Sequence, residues 1–180
     1  VYGLGADATN ETAIAKIYKA KGRPADHPLI VHISSIDAIN DWAQDINEYA
    51  INLARDFWPG PMTLVFKRSD LAKDFITGNQ NTVGLRVPNQ SIALALLKEF
   101  QALGGKGIAA PSANRFGAVS PTTAQAVKDE LENYLDQTND TILDGGPCQV
   151  GVESTIINCT TQTPQILRLG AITKEMIQES

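Results

Sequence analysis

The sequence predicts one α/β (α+β) domain built on a mixed, twisted, mostly open sheet with helices on its faces. Three observations carry this. Short β-branched runs bounded by Pro, Gly or Ser recur along the 180 residues, the mark of buried strands. Between them lie apolar stripes at helical spacing. Near the end, strand-like runs over 154–158 and 165–169 follow one another with no helix between them, which argues for a mixed rather than a purely parallel sheet.

The elements read in order as follows. Thr9 and Asn10 are helix-capping residues, and Ala13, Ile14, Ile17 and Tyr18 then form one apolar stripe. That helix should stop at Lys21-Gly22-Arg23-Pro24, because Gly suits the position after a helix and Pro cannot continue one. A β-branched run over 29–33 predicts a buried strand, followed by helical stretches over 37–44 and 47–57 that Pro59-Gly60-Pro61 ends. Strands are expected over 62–66 and 82–87. A helix over 91–103 has an unusually wide apolar side (Ile92, Leu94, Ala95, Leu96 and Leu97), and a short buried strand over 107–110 follows. Ser120-Pro121-Thr122-Thr123 should start a helix over 122–135. Strands over 141–143, 154–158 and 165–169 and a short helix from Thr173 complete the chain. No internal repeat, low-complexity tract or linker divides it.

Composition excludes several function classes. Hydrophobic residues make up 43% and charged residues 19%, the balance of a folded globular chain. No apolar run approaches the roughly 18 residues of a membrane helix, and no basic-then-apolar leader argues for secretion, so a cytoplasmic location without membrane contact is expected. The net charge of -5 disfavours a broad nucleic-acid surface but leaves room for a small anion pocket. Cys148 and Cys159 read as two small buried residues in a reducing compartment. His27 and His32 are too few for a zinc site without carboxylates. Walker A, Gly-x-Gly-x-x-Gly, Gly-x-Ser-x-Gly and His-Glu-x-x-His patterns are all absent from the sequence.

The chemistry-bearing segments each have a bland alternative. Lys21 and Arg23 could hold anionic oxygens, a planar fork beside a point charge; cations in a last helical turn also simply complement the helix dipole. Ser112 and Asn114 follow a short strand, where ligands collect in α/β proteins, yet Pro111-Ser112-Ala113-Asn114 also reads as an ordinary turn. Glycines in the loop over 144–151 permit close approach of a ligand or merely make turns. Arg168 and Arg86 each interrupt an apolar strand and either face solvent or need an anionic partner. His32 is more readily a satisfied core or edge histidine than a ligand-binding group.

Taken together, these segments resemble the YrdC-like family, whose better-known members are threonylcarbamoyl-AMP synthases. Lys21-Gly22-Arg23 and Ser112-Ala113-Asn114 match its Lys-x-Arg and Ser-x-Asn signatures. Val1-Tyr2-Gly3-Leu4-Gly5, Pro28-Leu29-Ile30-Val31, Trp58-Pro59-Gly60-Pro61-Met62-Thr63-Leu64, Arg86-Val87-Pro88, Gly151-Val152-Glu153-Ser154-Thr155 and Leu167-Arg168-Leu169-Gly170 look like further family segments in the family's order.

The resemblance implies a sheet around a deep, positively charged cavity, and a reaction joining L-threonine, bicarbonate and ATP into threonylcarbamoyl-AMP and pyrophosphate. A partner enzyme would then transfer the threonylcarbamoyl group to tRNA, with at most a weak tRNA contact here. Carried over by position, Lys21 and Arg23 would be catalytic, holding phosphate and bicarbonate-derived oxygens, with Mg2+ sharing the triphosphate charge. Ser112, Asn114, Ser154 and Arg168 would bind nucleotide, and His32, Tyr2 and Thr63 would shape the threonine pocket. The resemblance also leads one to expect a Pro-Thr-x-Thr strand ahead of Val1 and, in some members, a further C-terminal domain; neither lies within residues 1–180. Two alternatives stay open: a non-catalytic RNA-binding protein on this fold, and a carbamoyl-adenylate-forming relative with another acceptor.

Overall fold

The computed structural model describes residues 1–149 and 152–180. In chain order its elements are β1 (Ala6–Asp7), α1 (Glu11–Lys21), β2 (Ile30–His32), α2 (Ile39–Trp42), β3 (Ala43–Gln44), α3 (Glu48–Phe57), β4 (Met62–Arg68), α4 (Asp74–Thr77), β5 (Thr82–Arg86), α5 (Ser91–Ala102), β6 (Ile108–Ala109), α6 (Ala124–Leu131), β7 (Thr155–Asn158), β8 (Gln165–Arg168) and α7 (Lys174–Gln178). The strands form one sheet in the order β1-β6-β2-β5-β4-β7-β8, with β3 paired to the far end of β4. The β2/β5 and β4/β7 pairs are parallel and the others antiparallel. The mixed sheet expected from the sequence is therefore the sheet observed.

Helix α1 shows how local chemistry fixes an element. The Asn10 side chain accepts from the Ala13 N–H at the start, and Gly22 closes the end at φ 64°, in the left-handed region. A Cβ at Gly22 would come within 2.9 Å of the Arg115 guanidinium, a side-chain end able to shift, so it is the left-handed backbone that requires glycine there.

The two faces of the sheet differ. Val31, Leu64, Phe66, Val83, Leu85 and Ile157 point to one face, where they join Ile14, Ile17, Ile39, Trp42, Ala50 and Leu53 of the helices in the main core. Residues alternating with them, including Ile30, His32, Gly84, Arg86, Val65 and Ile156, are only half-buried. The strands thus present a second, partly open face, and every sheet residue of chemical interest lies on it. A satellite cluster of Ala113, Val127 and Leu131 packs with Tyr2, Leu4, Leu135 and Ile142 beneath α6. The described residues show this partly open face; they do not show a deep cavity.

Several elements depart from the sequence expectation. The helix over 37–44 is a 3-10 turn at Ile36–Ala38 followed by α2. It stops at the fully buried Trp42 because Ala43 and Gln44 pair with Arg68 and Lys67 in the sheet. The helix over 122–135 shortens to α6 with a 3-10 turn at Glu132–Tyr134, because Thr123 rather than an earlier residue supplies the cap, accepting from Ala126. No strand forms over 141–143. That segment finds no ladder partner, and Ile142 instead packs into the satellite cluster. Of the wide apolar side of α5 only Leu97 is buried, while Ile92 and Leu96 remain exposed. Cys159 is buried as expected, whereas Cys148 is only half-buried, and both are free thiols.

Candidate active site

The open sheet face carries a transverse row of side chains. His32 on β2 is in register with Arg86 on β5. Leu64 on β4 pairs with Leu85, so Thr63 is the β4 residue one step along toward Arg86. Thr63 pairs with Ile156 on β7, and Ile156 with Arg168 on β8. Four residues from distant parts of the sequence thus stand in line across five strands. Thr63 is completely buried, and its hydroxyl shares a 2.8 Å hydrogen bond with that of Ser154.

Arg168 is anchored rather than free. Its Nε and Nη2 donate to the Ser154 carbonyl at 3.1 and 2.8 Å, and Nη2 also reaches Ser154 Oγ at 3.4 Å. The remaining nitrogen, Nη1, donates to Glu153 Oε2 at 2.7 Å. Arg86 donates from Nε to the Gly60 carbonyl at 3.0 Å. Burial and the nearby Arg168 charge both lower the Arg86 pKa. His32 has its Nδ1 enclosed without a partner, and burial, with the Arg86 charge, pushes its pKa down to about 4. It is therefore a neutral imidazole at neutral pH.

The second half of the site forms where the C-terminus of α1 meets the segment after β6. Lys21 is 2% exposed, and its Nζ donates to the Ser112 carbonyl at 2.5 Å and the Asn114 carbonyl at 2.6 Å. The two motifs singled out in the sequence, some ninety residues apart, are joined by this one ammonium. The turn is tied down further by Phe116 N–H to the Lys21 carbonyl, 2.7 Å, and by Arg115 Nη1 to the Ala20 carbonyl, 2.8 Å. Arg115 also lies 4.1 Å above the Tyr134 ring, a cation–π contact. Arg23 donates from Nη2 to the Pro28 carbonyl at 2.8 Å, and its buried Nε has no partner among the described residues. Burial lowers the pKa of both cations, that of Lys21 to about 8 with the Arg23 charge adding to the effect.

Ser112 and Asn114 meet Lys21 through main-chain atoms, both presenting backbone carbonyls. The Asn114 Nδ2 is spent on the Arg115 and Ala118 carbonyls of its own loop, and its Oδ1 is buried without a partner. The Tyr2 hydroxyl engages the loop ahead of the undescribed residues, donating to the Gly146 carbonyl at 2.6 Å and accepting from Gly145 N–H at 3.1 Å. Val150 and Gly151 of that loop lie outside the described residues.

Glu153 joins the two halves. Its Oε2 holds Arg168 and its Oε1 accepts from Ser120 Oγ at 3.3 Å, while its charge acts on both Lys21 and Arg23. Three cations (Lys21, Arg23 and Arg168) thus feel one carboxylate, and Arg86 lies near enough to Arg168 to feel its charge. Arg86, Glu153 and Arg115 had no assigned role in the sequence reading. Arg86 could have been placed by period 2 alone, since it alternates with Leu85 and Val87; Glu153 and Arg115 left no local signal. Among the described residues no three His, Cys, Asp or Glu side chains gather to hold a metal ion.

Among the described residues, Lys21, Arg23, Arg86 and Arg168 give this part of the fold the character of an anion-handling site. Residues 1–170 match the Sua5/YciO/YrdC family model, described as "Telomere recombination". The chain belongs to this family. It is 45% identical over 179 residues to the threonylcarbamoyl-AMP synthase of Pyrococcus abyssi, covering 99% of this chain and 50% of that protein. Its identity to the threonylcarbamoyl-AMP synthase of Bacillus subtilis is also 45%, over 99% of this chain and 49% of that one. The crystal structure of P. abyssi Sua5 complexed with L-threonine superposes with a TM-score of 0.92 at 44% identity, covering 99% of this chain and 50% of that one. The chain spans about half the length of the curated relatives it matches. No helix among the described residues is long and apolar enough to cross a membrane.

Proposed function

We propose that this chain is the catalytic domain of an L-threonylcarbamoyl-AMP synthase, working in tRNA threonylcarbamoyladenosine formation. The observation that carries the reading is the junction of Lys21 with Ser112 and Asn114 beside Arg23, within reach of the charge of Glu153, which in turn pairs with Arg168. The near-complete match of this chain to half of several threonylcarbamoyl-AMP synthases supports it.

In the proposed reaction the threonine amine attacks bicarbonate, water leaves, and a carbamate forms. A carbamate oxygen then attacks the α-phosphorus of ATP while the bond to the β-phosphate oxygen breaks and pyrophosphate departs. Every reactant carries negative charge, so the protein's task is to hold them together and stabilise the charge of the transition state. Arg23, with its unpartnered buried Nε, and the remaining N–H of Lys21 would hold phosphate and carbamate oxygens. Arg168, Ser154 and the Ser112–Asn114 turn would seat the nucleotide. Neutral His32, Thr63 and Tyr2 would bound the threonine side. Mg2+ carried by ATP would neutralise part of the triphosphate charge. The acceptor enzyme, the tRNA and a cytoplasmic location belong to this same proposal.

The test is pyrophosphate release from ATP with and without L-threonine and bicarbonate. Release should require both, and Arg23→Ala should lower it by about a hundredfold or more with the fold retained, since its one resolved bond is to the Pro28 carbonyl. Release that ignores threonine would point instead to another carbamoyl acceptor. Salt-sensitive RNA binding with no release would point to a binding relative.

The Lys21 environment also sets a pH dependence. Its folded pKa lies near 8, below the ordinary lysine value of 10.5. Between those values the unfolded chain binds the extra proton, so this group adds stability as pH rises through that window. The charge that attracts phosphate disappears over the same range. The dissociation constant for ATP, measured by calorimetry, should therefore rise above about pH 8. In Lys21→Arg that limb should disappear, because guanidinium keeps its charge.

A further inference from the structure

We infer that Glu153 is an internal competitor for the anion site: its carboxylate occupies Arg168 until a substrate phosphate displaces it. This deepens the functional reading above and rests on the same anion site. The guanidinium of Arg168 is divided between two jobs. Nε and Nη2 fix it to the Ser154 backbone, so its position is set before any ligand arrives. Nη1 is the guanidinium nitrogen without a bond to Ser154, and one of its two N–H groups donates to Glu153 Oε2 at 2.7 Å.

The pair is built to exchange. The two side chains are 40% and 46% exposed, so the ion pair forms in water-rich surroundings, where such pairs contribute little stability. The second Glu153 oxygen has only a long 3.3 Å contact from Ser120 Oγ to hold it. A phosphate group offers Arg168 more charge and a better match to its donors than one carboxylate does. When phosphate arrives, Glu153 has to swing out of line with Nη1 or repel the incoming charge. Ser120 lies beside Pro121, whose carbonyl accepts from the Tyr2 N–H, so this exchange occurs at the edge of the Lys21 half of the site.

Competition of this kind lowers the affinity of every anion that has to displace Glu153 from Arg168, and by the same factor whether that anion is inorganic or the phosphate of a nucleotide.

The experiment is titration of inorganic pyrophosphate and of ATP into wild type, Glu153→Gln and Arg168→Gln, by calorimetry, without threonine. Glu153→Gln keeps the shape and removes the charge. It should bind pyrophosphate about tenfold more tightly than wild type, and ATP by a similar factor. Arg168→Gln should weaken both, and the double variant should show no gain from losing Glu153. Equal or weaker pyrophosphate binding by a folded Glu153→Gln protein overturns the proposal while leaving the functional reading intact. Binding of neither ligand to any of the proteins overturns both. Thermal unfolding of each variant separates loss of binding from loss of fold.

Discussion

Lys21→Ala should abolish measurable ATP turnover, a loss of about a thousandfold or more, and should also lower the melting temperature. The two effects have one cause. The Lys21 ammonium is 2% exposed and bonds the carbonyls of Ser112 and Asn114, so removing it leaves two acceptors stranded in a buried turn. Each unsatisfied buried group costs about 1–3 kcal/mol. The same change removes the ammonium proton left over for a ligand and releases the turn that carries Asn114 and Arg115. Arg23→Ala, whose one resolved bond is to the Pro28 carbonyl, is the cleaner probe of chemistry alone. Lys21→Arg should recover less than full activity, because a planar fork does not fit two carbonyls arranged around a compact ammonium. Turnover within tenfold of wild type in a folded Lys21→Ala protein would remove Lys21 from the reaction.

What the sequence made legible was whatever depends on neighbours a few residues away. The stop at Gly22, the cap at Asn10 and the strand pattern of β5 are decided by local backbone and alternation, and each is present. The expectation over 141–143 failed because a strand needs a partner, and apolar character alone could not show that Ile142 would be claimed by Val127 and Leu131 instead. The site divides the same way. Lys21 and Arg23 were singled out from their spacing and resemblance, and the structure joins Lys21 to the Ser112–Asn114 turn. Which atoms of that turn meet Lys21 was not readable. A motif spells side chains, while the contact is made by carbonyls that every residue possesses. The line from His32 through Arg86 and Thr63 to Arg168 depends on sheet register, which no single strand encodes.

The family segment Leu167-Arg168-Leu169-Gly170 acquires a physical reason from this geometry, and Gly170→Ala tests it. A Cβ at Gly170 would stand 2.2 Å from the Glu153 carbonyl oxygen and 2.7 Å from both Ser154 C and Thr155 N. These are backbone atoms, so no side chain can move aside; the strand end itself must shift. The segment is held where it is by Thr155. The buried Thr155 hydroxyl donates to the Ile172 carbonyl at 2.7 Å and accepts from Gly170 N–H at 2.8 Å and Ile172 N–H at 3.2 Å. Forcing a methyl group into that contact should destabilise the protein by about 3 kcal/mol, a fall of roughly 10 °C in melting temperature for a chain of this size. The functional loss should be larger than the stability loss implies. The displaced backbone carries Arg168 on one side and Ser154 on the other, and the guanidinium is aimed by its two bonds to the Ser154 carbonyl. At a temperature where Gly170→Ala remains folded, its affinity for ATP should drop by at least tenfold, about 1.4 kcal/mol. Thr155→Ser keeps the hydroxyl and should retain that affinity, whereas Thr155→Val should behave like a milder Gly170→Ala. A Gly170→Ala protein that melts within 2 °C of wild type, about 1 kcal/mol or less, would mean that this backbone contact has slack, and that Arg168 owes its position to something other than the Gly170–Ser154 packing.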